Sequence, residues 1–208
     1  MVIGIIGSGN MGSNLARLWS NAGYSVLITS NNPDITRETV KNFRNVVVET
    51  STEELVKKSD VILFAFPYEA LVEISKYKNL FKDKIIMDCI NPLTPDALSM
   101  LIGFDTSAGE QVASLFNEAK VVKAFNVIAS PVLERDDVRI NSETPSAFYC
   151  GDDTESKKIV SKLISDIGFE PVDCGELKNA RYLEPMAELL IQLAFGGMGA
   201  NIAFKLIK

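Results

Sequence analysis

The chain has 208 residues, 47% of them hydrophobic and 23% charged, with a formal net charge of -6, three cysteines and no histidine. Without imidazole, a Ser-His-Asp or Cys-His catalytic grouping, an HExxH zinc helix and a histidine base for dehydrogenation are all excluded. The acidic balance excludes a general nucleic-acid binder, which needs clustered Lys and Arg against phosphate.

Short apolar runs at residues 2–6, 25–29, 46–48, 61–66, 85–87 and 121–125 lack polar alternation, as expected for parallel strands buried on both faces. Helical patterns fill the gaps. The first puts Met11, Leu15, Leu18, Trp19 and Ala22 on one stripe, with Gly23 as its stop. Later helix starts are marked by acceptor side chains with glutamate three positions on: Ser51 with Glu54, Ser107 with Glu110, and Asp152 with Glu155. Residues 129–146 are polar and aperiodic, the pattern of a lid or binding loop. Two further strands, near residues 147–150 and 169–172, flank a helix and extend the sheet. The tail from Gly175 reads as helical and largely apolar, broken near Gly196.

Alternating strands and helices predict an α/β fold, a Rossmann-type doubly wound and mainly parallel sheet with extra C-terminal strands and a helical tail. The expected division is a dinucleotide-binding domain at residues 1–174 and a helical segment at 175–208 that packs on it or on a partner subunit. The N-terminus lacks a signal-peptide pattern. The apolar tract at 189–204 is short and interrupted for a membrane span, so no membrane insertion is expected. Cys89, Cys150 and Cys174 form no CxxC and no zinc set, and read as reduced, buried residues of a cytoplasmic protein.

The strongest local signal is GSGNMG, residues 7–12, directly after a strand and opening a helix. Gly7 permits a tight turn, Gly9 lets backbone approach a pyrophosphate, and Gly12 lets helix and strand pack closely. At the end of the second strand, where an NAD site places a carboxylate against the ribose, stand Thr29, Ser30, Asn31 and Asn32. Without carboxylate repulsion, these hydroxyls and amides favour NADP(H), while Asn32 also caps a helix that starts at Pro33. Arg37 and Lys41 read mainly as solvated cations.

In such sheets the ligand crevice lies beyond the carboxyl ends of the strands, which places Phe66, Pro67, Ile90, Asn91 and Pro92 along the ribose and nicotinamide. Asn126, just past the sixth strand, is a candidate to hold a carboxamide or a second ring. No catalytic side chain and no metal site is expected. Lys178 and Glu184 are the charged residues worth testing as acids.

Together with NPLTP at 91–95, VVKAFN at 121–126, FYCGDD at 148–153 and GFEPVDCGELKNARYLEP at 168–185, these features resemble the NADPH-dependent reductases of the deazaflavin coenzyme F-420. The resemblance implies hydride transfer between NADP(H) and a planar small-molecule acceptor, coenzyme F-420 or a flavin, in a homodimer built through the C-terminal segment. By position it implies that Ser8, Gly9, Asn10 and Met11 wrap the pyrophosphate, that Ser30 and Asn31 meet the 2'-phosphate, and that Phe66, Ile90 and Ala129 border the cofactor. The sequence departs from the family at Asn31, commonly arginine, and at Asn126, often histidine. Pyrroline-5-carboxylate reductases and β-hydroxyacid dehydrogenases share the opening motif but append a long helical domain. A reading from another class is a non-catalytic NADP(H) sensor whose 129–146 loop changes order with cofactor.

Overall fold

The computed structural model of the chain describes residues 1–207. Its eight strands are β1 (Val2–Ile6), β2 (Ser25–Thr29), β3 (Val46–Val48), β4 (Val61–Phe64), β5 (Ile85–Asp88), β6 (Lys120–Ala124), β7 (Ser146–Gly151) and β8 (Glu170–Asp173). They form one sheet of order β3-β2-β1-β4-β5-β6-β7-β8. The first six strands are mutually parallel, β7 pairs antiparallel with β6, and β8 runs parallel to β7. The order reverses between β1 and β4, and that switch point leaves a crevice at their carboxyl ends.

Helices cover both faces: α1 (Asn10–Asn21), α2 (Pro33–Val40), α3 (Thr52–Lys58), the single turns α4 (Leu71–Ile74) and α6 (Ser130–Leu133), α5 (Ala108–Leu115), α7 (Thr154–Ser165) and α8 (Ala180–Leu193). One core joins Leu15 and Trp19 of α1 with Val160 and Leu163 of α7 across Ile3, Ile5, Leu63 and Val122. The other joins Leu55, Val112, Phe116 and Leu183 across Ile62, Phe64 and Ile86. Successive residues of β4 and β5 thus feed opposite cores, which is why those strands show no polar alternation. In the second core Phe64, Phe81 and Phe116 meet edge-on at centroid separations of 5.5, 5.2 and 4.9 Å, each pair worth about 0.5–1.5 kcal/mol beyond simple burial.

The predicted strands match to within two residues, and the differences have causes. β4 stops at Phe64 rather than residue 66, where Pro67 turns the chain into a short 3-10 turn. β6 ends at Ala124 because Phe125 adopts φ 63°, a left-handed conformation rare for a bulky residue, while its buried ring packs edge-on against Trp19 at 5.7 Å. That turn leads Asn126 out of the sheet. Ser51 and Ser107 cap α3 and α5 as expected, and Asn32 caps α2 with Pro33 at its first position. On the α1 stripe Ala22 is exposed because it is already the C-cap.

Three expectations are corrected. Asp153, not Asp152, caps α7 by accepting from the Ser156 amide; β7 runs one turn-residue longer than its apolar run, and Asp152 instead accepts from the Leu177 amide. The 129–146 segment is not a detached lid. Val132, Leu133 and Val138 are buried in the first core, and Arg17 of α1 donates to the carbonyls of Leu133 and Arg135. The tail is helical only to Leu193; a π turn spans Ala194–Met198, and residues 199–207 contain no helix. Gly197 and Gly199, at φ 108° and 73°, turn the chain back so that Phe204 and Leu206 bond to Ser146 at the start of β7. Among the described residues no helix is long and apolar enough to cross a membrane, and no cluster of metal-ligating side chains occurs. Cys89 and Cys150 are buried, with burial pushing both thiols up to about 12, whereas Cys174 is only partly buried.

Candidate functional site

A cavity of about 560 Å³ opens at the switch point, within the usual size range of ligand pockets. Its floor is the glycine turn, Gly9, Asn10 and Met11, and one wall is Ala65, Phe66 and Pro67 after β4 with Cys89, Ile90 and Asn91 after β5. The far side is Asn126, Ile128 and Ala129, then Ser130 and Pro131 of α6. A further wall was not foreseen from sequence: Ala187, Leu190 and Ile191 of α8, followed by Ala194, Phe195 and Ala200. No side chain lining the cavity carries a charge, so it is an apolar slot with a few amide groups.

The three glycines of the turn have different surroundings. At Gly7, with φ 109°, a Cβ would lie 2.1 Å from the Ala65 carbonyl oxygen, and at Gly12 it would lie 2.0 Å from the Gly7 carbonyl oxygen. These two are closed by protein backbone. At Gly9 nothing lies within 4 Å. The residue whose absent side chain faces open space sits at the N-terminus of α1, which has no side-chain cap and no acidic residue in its first turn. By contrast α2, α3, α5 and α7 are all capped by side chains. A helix start left uncapped under an open glycine suits a bound pyrophosphate, which would accept from the free amides and meet the positive end of the helix dipole.

The predicted residues therefore separate into groups. Gly9, Asn10, Met11, Phe66, Pro67, Ile90, Asn91, Asn126 and Ala129 converge on the cavity. Gly7, Ser8 and Gly12 shape its floor without lining it. Pro92 is buried behind the wall, and the Thr29 side chain is buried under the turn, where its carbonyl accepts from the Gly7 amide at 2.8 Å. Beside that turn the hydroxyls of Ser8 and Ser30 each lie 2.8 Å from the Thr36 hydroxyl, and Asn31 is exposed at the rim. Arg37 pairs with Asp34 and Lys41 with Glu38, both in solvent.

Asn91 and Asn126 are tied reciprocally. Asn91 Nδ2 donates to the Asn126 carbonyl at 2.9 Å, and Asn126 Nδ2 donates to Asn91 Oδ1 at 3.1 Å and to the Leu183 carbonyl at 3.0 Å. Asn126 Oδ1 is left as a buried acceptor without a protein partner. Such an atom is costly unless something else satisfies it.

Behind Ile90 lies a group that sequence reading did not assemble. Asp88, Lys123 and Glu184 are fully buried, with Lys123 Nζ 2.9 Å from Asp88 Oδ2 and 2.8 Å from Glu184 Oε1. Burial works against the ammonium, but the two carboxylates outweigh it and hold the Lys123 pKa above the ordinary lysine value. Glu184 also accepts from the amides of Ala108 and Gly109, at 2.9 and 3.0 Å, and so caps α5 together with Ser107. It is a structural carboxylate rather than an acid in the cavity. Lys178 pairs with Glu176 in solvent, away from the site. The available signal was Lys123 itself, because a charge inside an apolar strand run requires buried partners.

A family model described as "NADP oxidoreductase coenzyme F420-dependent" matches residues 2–92. The F420-dependent NADP reductase of Methanocaldococcus jannaschii is 31% identical over an alignment covering 99% of this chain and 94% of that protein. The chain belongs to the F420-dependent NADP reductase family. Members of this family are NADP-dependent oxidoreductases. The metalloreductase STEAP3 of Rattus norvegicus is 34% identical over 88% of this chain, which spans 35% of that longer protein. In fold, an F420-dependent NADP-reductase-like protein from Arthrobacter sp. FB24 superposes with a TM-score of 0.89, covering 99% of both chains at 23% identity. Pyrroline carboxylate reductase of Plasmodium falciparum, solved with NADP bound, covers 96% of this chain with a TM-score of 0.62 at 18% identity, and the chain covers 63% of it.

Proposed function

We propose that the protein transfers a hydride between NADPH and a planar redox partner, the deazaflavin coenzyme F420 or a flavin, both rings lying in the apolar cavity. The observation that carries this is a charge-free slot opening directly over the uncapped, glycine-floored start of α1. Bound NADPH would supply the hydride chemistry. The protein's part is to hold the diphosphate on the α1 amides with Ser8, Gly9, Asn10 and Met11 and to receive the 2'-phosphate beside Ser30 and Asn31. Phe66, Pro67, Ile90, Asn91 and Ala129 would keep water from the rings, and Asn126 Oδ1 would accept from an amide N–H. Fixing two rings in contact removes most of the entropic barrier, so no side-chain base is needed.

The test is NADPH oxidation followed spectrophotometrically against coenzyme F420, FMN, FAD, quinones and ferric chelates. Saturable turnover with a ring acceptor is expected, together with NADPH binding at least about tenfold tighter than NADH, or ~1.4 kcal/mol. Equal affinity for both cofactors, or no turnover with any ring acceptor, would count against the assignment. The non-catalytic sensor is disfavoured because the 129–146 segment that it would reorder contributes Val132, Leu133 and Val138 to the core.

The same reading includes a homodimer in the cytoplasm, built through residues 175–208. The outer face of α8 and the turn after it expose Tyr182, Leu189, Phe195 and Met198, and Gln192 on that side bonds to the carbonyl of Leu98, itself exposed beside Leu101 and Phe104. An apolar surface of this composition fits a second copy better than water. Leu189→Asp is expected to convert a dimer to a monomer in size-exclusion chromatography with light scattering. A unit mass in the unmodified chain would refute the dimer.

A further inference from the structure

The Asp88–Lys123–Glu184 group is an expensive way to fill a core. A buried ion pair adds little net stability over apolar side chains of similar volume, and its better-attested use is to fix one arrangement among alternatives. What this group fixes is specific. Asp88 Oδ1 accepts from the Ile90 amide at 2.9 Å, and Lys123 Nζ donates to the Ile90 carbonyl, so both backbone polar groups of Ile90 are held by the pair. The Ile90 side chain lines the cavity, and Asn91 follows it. Through Glu184 the same ammonium is tied to α8, which supplies Ala187, Leu190 and Ile191 to the opposing wall. The neighbouring residue Leu183 is tied to Asn126. Two successive residues of α8 are thus fastened to the ends of β5 and β6 by polar bonds, and the gap between the walls follows from their lengths.

Resting on the NADP(H) reading above, we propose that Lys123, with Asp88 and Glu184, is a positioning residue that sets the width of the slot at the nicotinamide end. It touches neither the cofactor nor the acceptor; it acts through Ile90 and α8. The phosphate end, built on α1 and β2, shares none of these bonds.

The prediction is a selective loss. Asp88→Asn/Lys123→Met/Glu184→Gln together leave no buried charge unpaired, while the side-chain oxygens at 88 and 184 can still accept from the Ile90 amide and from one of the two α5 amides. Calorimetric titration of this variant with 2'-phospho-ADP-ribose, which lacks the nicotinamide ring, is expected to give an affinity within about twofold of the unmodified chain. NADPH is expected to bind about tenfold more weakly, so that the advantage of the complete cofactor over the fragment disappears. Glu184→Gln alone, which removes the charge from one tie and keeps one of the two α5 amides partnered, should move the same ratio in the same direction by a smaller factor. Equal weakening of both ligands, or no change in either, in both variants would overturn the proposal. In the unmodified chain, NADPH binding no tighter than the fragment would overturn it while leaving the cofactor reading standing, whereas failure to bind either ligand would overturn both.

Discussion

Gly9→Val is expected to weaken NADPH binding at least ~100-fold, about 2.7 kcal/mol, while leaving the thermal unfolding midpoint of the chain unchanged. The reason is local. The Cβ of a residue placed here meets no protein atom, because nothing lies within 4 Å of it, and the backbone at φ -67° suits any residue. The added methyl groups instead occupy the space above the α1 amides where the proposed function brings the diphosphate. Gly12→Ala makes the opposite prediction. Its Cβ would stand 2.0 Å from the Gly7 carbonyl oxygen, a contact that only movement of the helix or the turn relieves, so stability should fall by about 1–3 kcal/mol. Paired measurements of melting temperature and NADPH affinity on the two variants test the separate roles that the motif assigns to these two glycines. A lowered melting temperature in Gly9→Val with undiminished NADPH affinity would sink the proposed site.

Lys123→Met is expected to cost about 3–5 kcal/mol of folding stability, because it strands two buried carboxylates that now share no counter-charge. The cost should depend on pH with a definite sign. In this variant burial and mutual repulsion raise the carboxylate pKa in the folded state above the unfolded value near 4. The folded state then binds more protons than the unfolded state above that pH, so the deficit grows as pH rises from about 4 toward neutrality. In the unmodified chain the linkage has the same sign but lies at the alkaline end. The raised Lys123 pKa contributes stability that is complete below the ordinary lysine value and is lost only as pH rises past it. Urea unfolding of both proteins at pH 4.5 and pH 7.5 tests this. A deficit below about 1 kcal/mol that is the same at both pH values would show that the triad is solvated.

The contrast between these variants reflects how differently the two features are written in the sequence. The glycine turn is local: strand, GSGNMG and helix are contiguous, and the tasks of Gly9 and Gly12 follow from chain geometry within a few residues, although Gly7 is also closed by Ala65 from the end of β4. The strands were legible for a similar reason, since an apolar run without alternation has few destinations other than a doubly covered sheet. Cap residues were read well at Ser51 and Ser107, where one acceptor stands at the boundary. They were misread at Asp152, where two adjacent aspartates compete and the length of β7 decides between them. The break near Gly196 was legible, but the stretch after it was also read as helix, because composition alone does not distinguish a helix from an extended segment docking on the start of β7.

The sequence by itself determined the doubly wound fold, the glycine turn that opens its first helix, the absence of a carboxylate at the second strand and, by the lack of histidine, the exclusion of an imidazole base. Only the tertiary structure decided what closes the other side of the cavity and what holds its walls apart. Lys123 meets Asp88 across 35 residues and Glu184 from a helix further along the chain, and Leu190 and Ile191 reach the slot only because α8 docks there. The physical reason is that turn and strand preferences act between neighbours along the chain. A buried charge fixes only that partners must exist, and packing chooses which residues they are.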